Sequence, residues 1–573
     1  MNLEDMSKSE LVDLVKKLRS KRRYGLFWED EKTREHLSSS TEVPIIKEVP
    51  KLSIGSAKDS AHLLIEGDNY YSLSLMRFTH ANKIDFIYID PPYNTGSSDF
   101  KYNDAFVEKD DTYRHSKWLS FMNKRLKIAK DLLTEEGVIF ISINEIEVAN
   151  LILLGNDIFG ERNLIGILPR LTKKGGKTTE TFAINHDFLL GWAKNSNQMP
   201  KLTIKHDDPK GYPLTDKYAE TRGNHNLKQT LDYDSLTYSK SMDYPLEING
   251  ETYYPGGSKE NWESRQKGNH GKFDWTWRWS EDLVRWGLTE GLIEIKGKVR
   301  PRIYTKTYEL ANYEATKDGW QIVIQERQKS PSTLALVDNE FSNDIAKKEL
   351  NNLLGKGSFE FPKPTSLVKY LLSIYPKKDL KVLDFFAGSG TTGEAVLKQN
   401  NEDGGTREFI LLTNNEGNIC TEVTHPRLKK VMEGSKDSTG KEVEALSGSL
   451  KYYRVNFIPK TQNTDEMKMR ITEEIRDLLK IKENCFNEIS KPTSEYAIYS
   501  SHGKAFGIYN SFDYSQMKKM KTEVDALPSK IERLYVFTFD DEGINPEDFE
   551  DWDGIVIEPI PQKVLETLES AYV

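Results

Sequence analysis

Two short stretches hold the residues best suited to chemistry. Asp90-Pro91-Pro92-Tyr93 follows Ile84-Asp85-Phe86-Ile87-Tyr88-Ile89, an apolar run that reads as a buried strand. Two consecutive prolines stiffen the backbone and remove its amide donors, so only carbonyl acceptors remain there. A carboxylate and an aromatic face stand beside them. Together they accept hydrogen bonds from an amino group and stack on a planar ring, and a base drawn out of a duplex offers both. Read as structure alone, the same residues make a strand-ending turn with Asp as its cap. The second stretch is Asp384-Phe385-Phe386-Ala387-Gly388-Ser389-Gly390-Thr391-Thr392-Gly393. Gly388 and Gly390 carry no side chain, so a ligand can lie against the backbone. Exposed amides at the start of a helix favour a carboxylate or phosphate. No Lys follows as in a phosphate-binding P-loop, and a structural tight turn fits the glycines as well.

The surrounding pattern supplies elements to position both stretches. Leu63-Leu64-Ile65 reads as a strand ending at Gly67-Asp68-Asn69, with a helix after it. Trp118 to Leu133 reads as a helix capped by Gly137, and Val138–Ile143 as the next strand. Val382–Phe385 and Phe409–Leu412 are strands flanking a helix that begins near Thr391. Strands that are nearly continuous in apolar residues, alternating with helices, predict a mostly parallel sheet covered on both faces.

Taken together, these stretches resemble the signature pair of amino-directed DNA methyltransferases that use S-adenosylmethionine. The catalytic motif precedes the cofactor loop with a long insert between them, an order similar to the β class. Gly67-Asp68, Trp118-Leu119-Ser120-Phe121-Met122, residues 157–163, Phe361-Pro362-Lys363-Pro364 and residues 401–405 also match. The set is most similar to the modification (Mod) subunit of type III restriction–modification systems. The likeness covers about residues 61–460, strong at the motifs and weak in 166–355 and in the tail. It implies an α/β fold: a Rossmann-like methyltransferase mixed sheet in circularly permuted motif order, an inserted target-recognition domain and a separate α+β C-terminal domain.

The resemblance also implies roles. Asp90, Pro91, Pro92 and Tyr93 would be catalytic on adenine N6, since Ser with Trp is more usual in N4-cytosine enzymes. Asp384, Phe386, Ala387, Gly388, Ser389, Gly390 and Thr391 would form the cofactor loop. Lys363 would sit near the cofactor's carboxylate, Asp68 would accept from its adenine amino group, and Glu416 would bind its ribose hydroxyls. No cysteine nucleophile is needed, and Cys420 and Cys485 lie outside both motifs. No metal is expected. The partners implied are double-stranded DNA, a second copy of the chain and a nuclease–helicase restriction subunit. The alternatives are an orphan or other phage-defence methyltransferase, or a DNA-binding specificity subunit serving a separate nuclease–helicase.

Composition sets limits on these readings. The chain has 573 residues with 37% hydrophobic and 29% charged, too apolar for a disordered chain. No apolar run approaches the ~18 residues of a membrane span, so a soluble cytoplasmic protein is expected. Lys and Arg number 80 against 89 Asp and Glu, a net −9. The acidity sits in 461–573, with 13 basic against 23 acidic residues, while 165–330 holds 26 against 22. The expected divisions are a basic helix and linker (1–60), the catalytic half (61–165), the target-recognition insert (166–355), the cofactor half (356–460) and an acidic unit (461–573) expected to mediate subunit or partner contacts. Lys173, Lys174 and Lys177 form a basic loop after the catalytic half. Arg265, Lys267, Lys272 and Arg278 interleave with Trp262, Trp275, Trp277 and Trp279 in the insert. These seven cations are the expected DNA contacts, although most of the tryptophans are expected to be core.

Overall fold

The structure is a computed structural model, and the residues described are 28, 41–55, 61–96, 101–102, 105–175, 181–205, 211–297, 301–317, 319–325, 328–436, 440–461, 463–490, 493–501, 503–511, 513–528, 530–540, 544–561 and 564–566. The basic helix expected in the first part of 1–60 lies outside them. Nine strands form the central sheet. In chain order they are β1 (Glu42–Glu48), β2 (His62–Glu66), β3 (Ile84–Ile89), β4 (Leu133–Ile143), β5 (Leu164–Leu171), β6 (His186–Ala193), β7 (Lys381–Asp384), β8 (Glu408–Thr413) and β9 (Leu450–Pro459). Across the sheet the order is β1-β9-β2-β8-β7-β3-β4-β6-β5. From β9 to β4 every neighbouring pair is parallel, and β1, β6 and β5 run antiparallel at the two margins. The fold is thus the mixed, permuted sheet that the motif order implies.

The helices that position the site are α1 (Asn69–His80), α2 (Arg114–Leu132), α3 (Val148–Phe159), α4 (Thr365–Ile374), α5 (Thr391–Asp403) and α6 (His425–Glu433). The decisive pairing is β3 with β7. Val382 lies opposite Phe86 and Leu383 opposite Ile87. The two strands run parallel, so both chemical stretches leave the sheet side by side at its carboxyl edge.

Several expectations need correction. Part of the linker expected within 1–60 is β1, whose Val43–Ile46 are buried against the sheet. Gly137 does not cap a helix: α2 ends at Leu132 and β4 begins at Leu133. A Cβ at Gly137 would come within 3.0 Å of Leu133, Thr134 and Ile84, so the glycine permits close strand packing. The insert is shorter than 166–355. Residues 164–171 and 186–193 belong to the central sheet, and the separate compact unit is Leu202–Pro331. That unit has its own core of Trp277, Trp279, Leu283, Val284, Ile303 and Tyr308. Its two ends meet as an antiparallel pair, Ile204-Lys205 with Gln328-Lys329.

The C-terminal region is the expected α+β domain, with a core of its own around Tyr496, Ile498, Met520 and Leu534. Its five-stranded sheet and helices group with residues 1–201 and 332–460. A seventh helix, α7 (Arg476–Glu483), packs against β1 and α1. Leu478, Leu479 and Ile481 join the same apolar core as Leu63, Ile65 and Leu412. Lys480 reaches Glu48 at 3.0 Å, and Asp477 accepts from the Glu48 amide at 2.7 Å. Among the described residues no helix is long and apolar enough to cross a membrane.

Leu479 is fully buried at this junction. Leu479→Ala should therefore cost about 2–5 kcal/mol, the usual range for such a cavity. It should lower the melting of the whole larger unit. A thermal scan in which only a C-terminal transition moves would contradict the shared core.

Candidate active site

At the carboxyl edge of β3, the Asp90–Tyr93 loop is held from several sides. The Trp118 indole donates to the Pro92 carbonyl at 2.8 Å. Of the two proline carbonyls this leaves that of Pro91 for another donor. The Tyr93 hydroxyl donates to Asp187 Oδ2 at 3.2 Å. Asp187, at the start of β6, is gripped by Arg170 from β5 through Nε to Oδ1 at 2.8 Å and Nη2 to Oδ2 at 2.5 Å. Burial, with Asp90 and Asp187 nearby, pushes the Tyr93 phenol well above its usual range, so it stays neutral. Asn94 turns the chain at φ +58°. Its amide donates to the buried Glu147 at 2.5 Å, which also accepts from His115 and Asn150 at 2.7 Å each.

The loop after β7 is organised from within. Both oxygens of the buried Asp384 are engaged: Thr392 Oγ1 donates to one at 2.5 Å and the Phe386 amide to the other at 3.0 Å. Burial raises its carboxyl to about 7. Ala387, Ser389, Gly390 and Thr391 are buried. Arg427 of α6 braces this run, donating through Nη1 to Ser389 Oγ at 3.1 Å and Thr391 Oγ1 at 2.9 Å, and through Nε to Glu394 at 2.6 Å. Burial works against the Glu394 charge, but Arg427 and Lys398 outweigh it and hold the carboxyl at about 2.

The two glycines differ. A Cβ on Gly390 would lie 3.2 Å from Thr424, so this glycine faces protein and its φ of +78° explains its identity. A Cβ on Gly388 would meet nothing closer than 3.7 Å, and this is the glycine that leaves space. Phe386 is half-buried and packs on Phe121 at 5.9 Å between centroids.

Three further residues surround this edge. Asp68 caps α1 by accepting from the Tyr70 amide at 2.7 Å, and its Oδ1 also takes Arg125 at 3.3 Å. Arg125 in turn holds Asn69, whose amide donates to the Phe385 carbonyl at 2.7 Å. Glu416 is exposed just past β8. Lys363 makes a contact the sequence does not announce: its ammonium lies 2.7 Å from each Asp90 oxygen. The structure therefore brings Asp90, Tyr93 and Lys363 into direct contact, next to the glycine loop. Arg427, Arg170, Asp187, Asn94 and Glu147 were missed by the sequence reading. They carry no local pattern, and only the Trp118 run, noted as a motif, could have pointed to one of these braces.

The cationic residues fall into two groups. Lys173, Lys174, Lys267, Lys272 and Arg278 are exposed, and Lys177 lies outside the described residues. Arg265 is removed from the expected DNA contacts. Its guanidinium is buried, clamping Asp243 through two 3.0 Å bonds and donating to the Pro255 carbonyl. Among the described residues no cluster of His, Cys, Asp or Glu could hold a metal ion.

The raised Asp384 carboxyl has a stability consequence. A folded-state value near 7 against an unfolded value of 3.8 means the unfolded chain binds fewer protons between those limits. Stability is unpenalised below about pH 4 and falls as pH rises towards about 7. Asp384→Asn should therefore melt progressively higher relative to the parent chain across that window. A difference in melting temperature that is flat with pH would contradict it.

Residues 84–426 match the family model described as DNA methylase. The type III restriction–modification enzyme EcoPI Mod subunit of Escherichia phage P1 is 34% identical over 402 residues, covering 63% of this chain and 58% of that protein. The StyLTI Mod subunit of Salmonella typhimurium is 28% identical over 447 residues, 72% of this chain and 59% of that one. The type II methyltransferase M.KpnI of Klebsiella pneumoniae is 30% identical over 403 residues, 68% and 90%. The chain thus spans less than two thirds of the length of these two Mod subunits and nearly all of the type II enzyme. It belongs to the DNA methylase family, whose members use S-adenosylmethionine, and is related both to type III Mod subunits and to type II methyltransferases.

Proposed function

We propose that this chain methylates the N6 amino group of adenine at a specific DNA sequence, acting on a base flipped out of the duplex. The observation that carries this is the Asp90–Tyr93 loop beside the glycine loop: a carboxylate, one uncommitted proline carbonyl and a neutral aromatic ring held in place by Trp118 and Asp187. The residues fit S-adenosylmethionine. Gly388 leaves room against the backbone, Phe386 offers an aromatic wall, and Asp68 and Glu416 stand at the neighbouring strand ends. When bound, the cofactor supplies a sulfonium methyl group that is electrophilic without further activation.

The protein's task is to prepare the amine. The N6 lone pair is delocalised into the ring, which makes it a weak nucleophile. Asp90 and the Pro91 carbonyl accept its two hydrogens and favour a more tetrahedral nitrogen, a preorganised polar environment of the kind that stabilises developing charge. Tyr93 stacks on the base. The Leu202–Pro331 unit reads the sequence. Exposed Lys173, Lys174, Lys267, Lys272 and Arg278 are the proposed phosphate and base contacts. The likeness to Mod subunits supports a modification subunit of a type III system, acting as a dimer in the cytoplasm with a nuclease–helicase partner.

Two measurements test this reading. Asp90→Ala should lower the single-turnover methylation rate about 10²–10³-fold, the usual loss for one preorganised group. Cofactor and duplex affinity should change little. Collapse of binding along with the rate would make Asp90 a structural cap, and N4-methylcytosine in the product would replace adenine as target. Separately, Gly388→Val should abolish cofactor binding by calorimetry while the fold survives. Both positions strain a side chain, with φ of +49° at Gly388 and +78° at Gly390, and Gly390→Val should disturb the loop more because its Cβ also lies 3.2 Å from Thr424. Unchanged cofactor affinity in Gly388→Val would remove the loop from the site.

A further inference from the structure

Lys363 makes contacts beyond those of a residue that only holds a cofactor. Besides spanning both Asp90 oxygens at 2.7 Å, its Nζ lies 4.9 Å from the centroid of the Tyr93 ring. The target amine needs the same carboxylate, and its base needs the same ring. The lysine side chain is only 9% exposed, so its charge lies largely out of water and must keep a partner. Its backbone is fixed separately, because the Lys363 carbonyl accepts from Thr391 Oγ1 at 3.0 Å. Thr391 opens α5 directly after the glycine loop. One residue is thus tied to the cofactor loop by its backbone and to the catalytic loop by its side chain.

We propose that Lys363 is an internal stand-in for the target amine, and that its release from Asp90 couples the cofactor site to the base site. This rests on the roles given above to Asp90 and the glycine loop. A carboxylate has two oxygens, and Lys363 spans both, so the amine enters only when the ammonium withdraws from at least one. Withdrawal strands a buried cation unless another anion meets it. The cofactor carries a carboxylate and binds at the loop to which Lys363 is tied. Cofactor binding therefore frees Asp90, whereas a base entering alone works against the ion pair. By linkage, the base raises cofactor affinity by the same factor.

The test needs only the intact protein, its methylated sequence and S-adenosylhomocysteine, which keeps the carboxylate and cannot react. Duplex affinity is measured with adenine at the target position and with purine, which lacks the amino group. S-adenosylhomocysteine should tighten the adenine duplex about tenfold, within the usual range of coupling between sites, and should barely change the purine duplex. In Lys363→Met, measured at saturating S-adenosylhomocysteine, the two duplexes should respond alike, and the adenine duplex should bind more tightly than in the parent chain when no cofactor is present. Equal responses of the two duplexes in the unaltered protein, with adenine methylation intact, would overturn the stand-in role alone. Absence of adenine methylation by the unaltered protein would remove the functional reading, and this inference with it.

Discussion

The pairing of β3 with β7 is the constraint on which the site depends. These strands come from distant parts of the chain, yet Leu383 lies opposite Ile87 and both strands run the same way. A slip of one residue would turn Asp384 from its buried position to the other face of the sheet and shift the glycine loop against Asp90. Register is held by burial. Phe86, Ile87, Val382 and Leu383 are all fully buried, and a sheet covered on both faces tolerates no alternative alignment without exposing apolar area.

Hydrophobic burial brings the loops together, and buried arginines then fix their shape. Arg125, Arg170 and Arg427 are each about 1% exposed. Arg125 joins α2 to the start of α1 and Arg427 joins α6 to the glycine loop, segments that the sheet alone does not align, while Arg170 fixes its cross-strand partner Asp187, which holds Tyr93. A buried ion pair is a poor source of net stability but penalises any arrangement that leaves one partner alone. These braces therefore act on geometry. They hold Tyr93, Phe386 and Gly388 in place, which suits a reaction whose catalysis lies mostly in positioning.

Much of this was legible in the sequence because the relevant signals are local. Strand identity came from unbroken apolar runs, and β2, β3, β7 and β8 lie within a residue or so of where those runs place them. The two loops were legible because prolines and glycines mark backbone needs directly. The errors share a cause in long-range packing. β1 has the composition of a linker, and only its pairing with β9 makes it a strand. Acidic composition set 461–573 apart as a domain with its own sheet and core, but it gave no sign that Leu478 and Leu479 of α7 also join the central core. Arg265 looked like a DNA contact because it sits among tryptophans, and nothing in its neighbourhood announces Asp243. Gly390 was credited with leaving room for a ligand, whereas its backbone angle and Thr424 account for it.

The antiparallel pair that closes the Leu202–Pro331 unit bears on how such a chain can diversify. Ile204-Lys205 and Gln328-Lys329 run side by side, so the excursion leaves and rejoins the host at neighbouring points, about 5 Å apart as for any paired strands. The host sees this unit as a hairpin, whatever lies beyond the neck. The unit carries its own core around Trp277 and Trp279, and a replacement needs only two strand ends at the same spacing. A different segment with two strand ends at that spacing could therefore stand in its place while Asp90, Gly388 and their braces stay untouched.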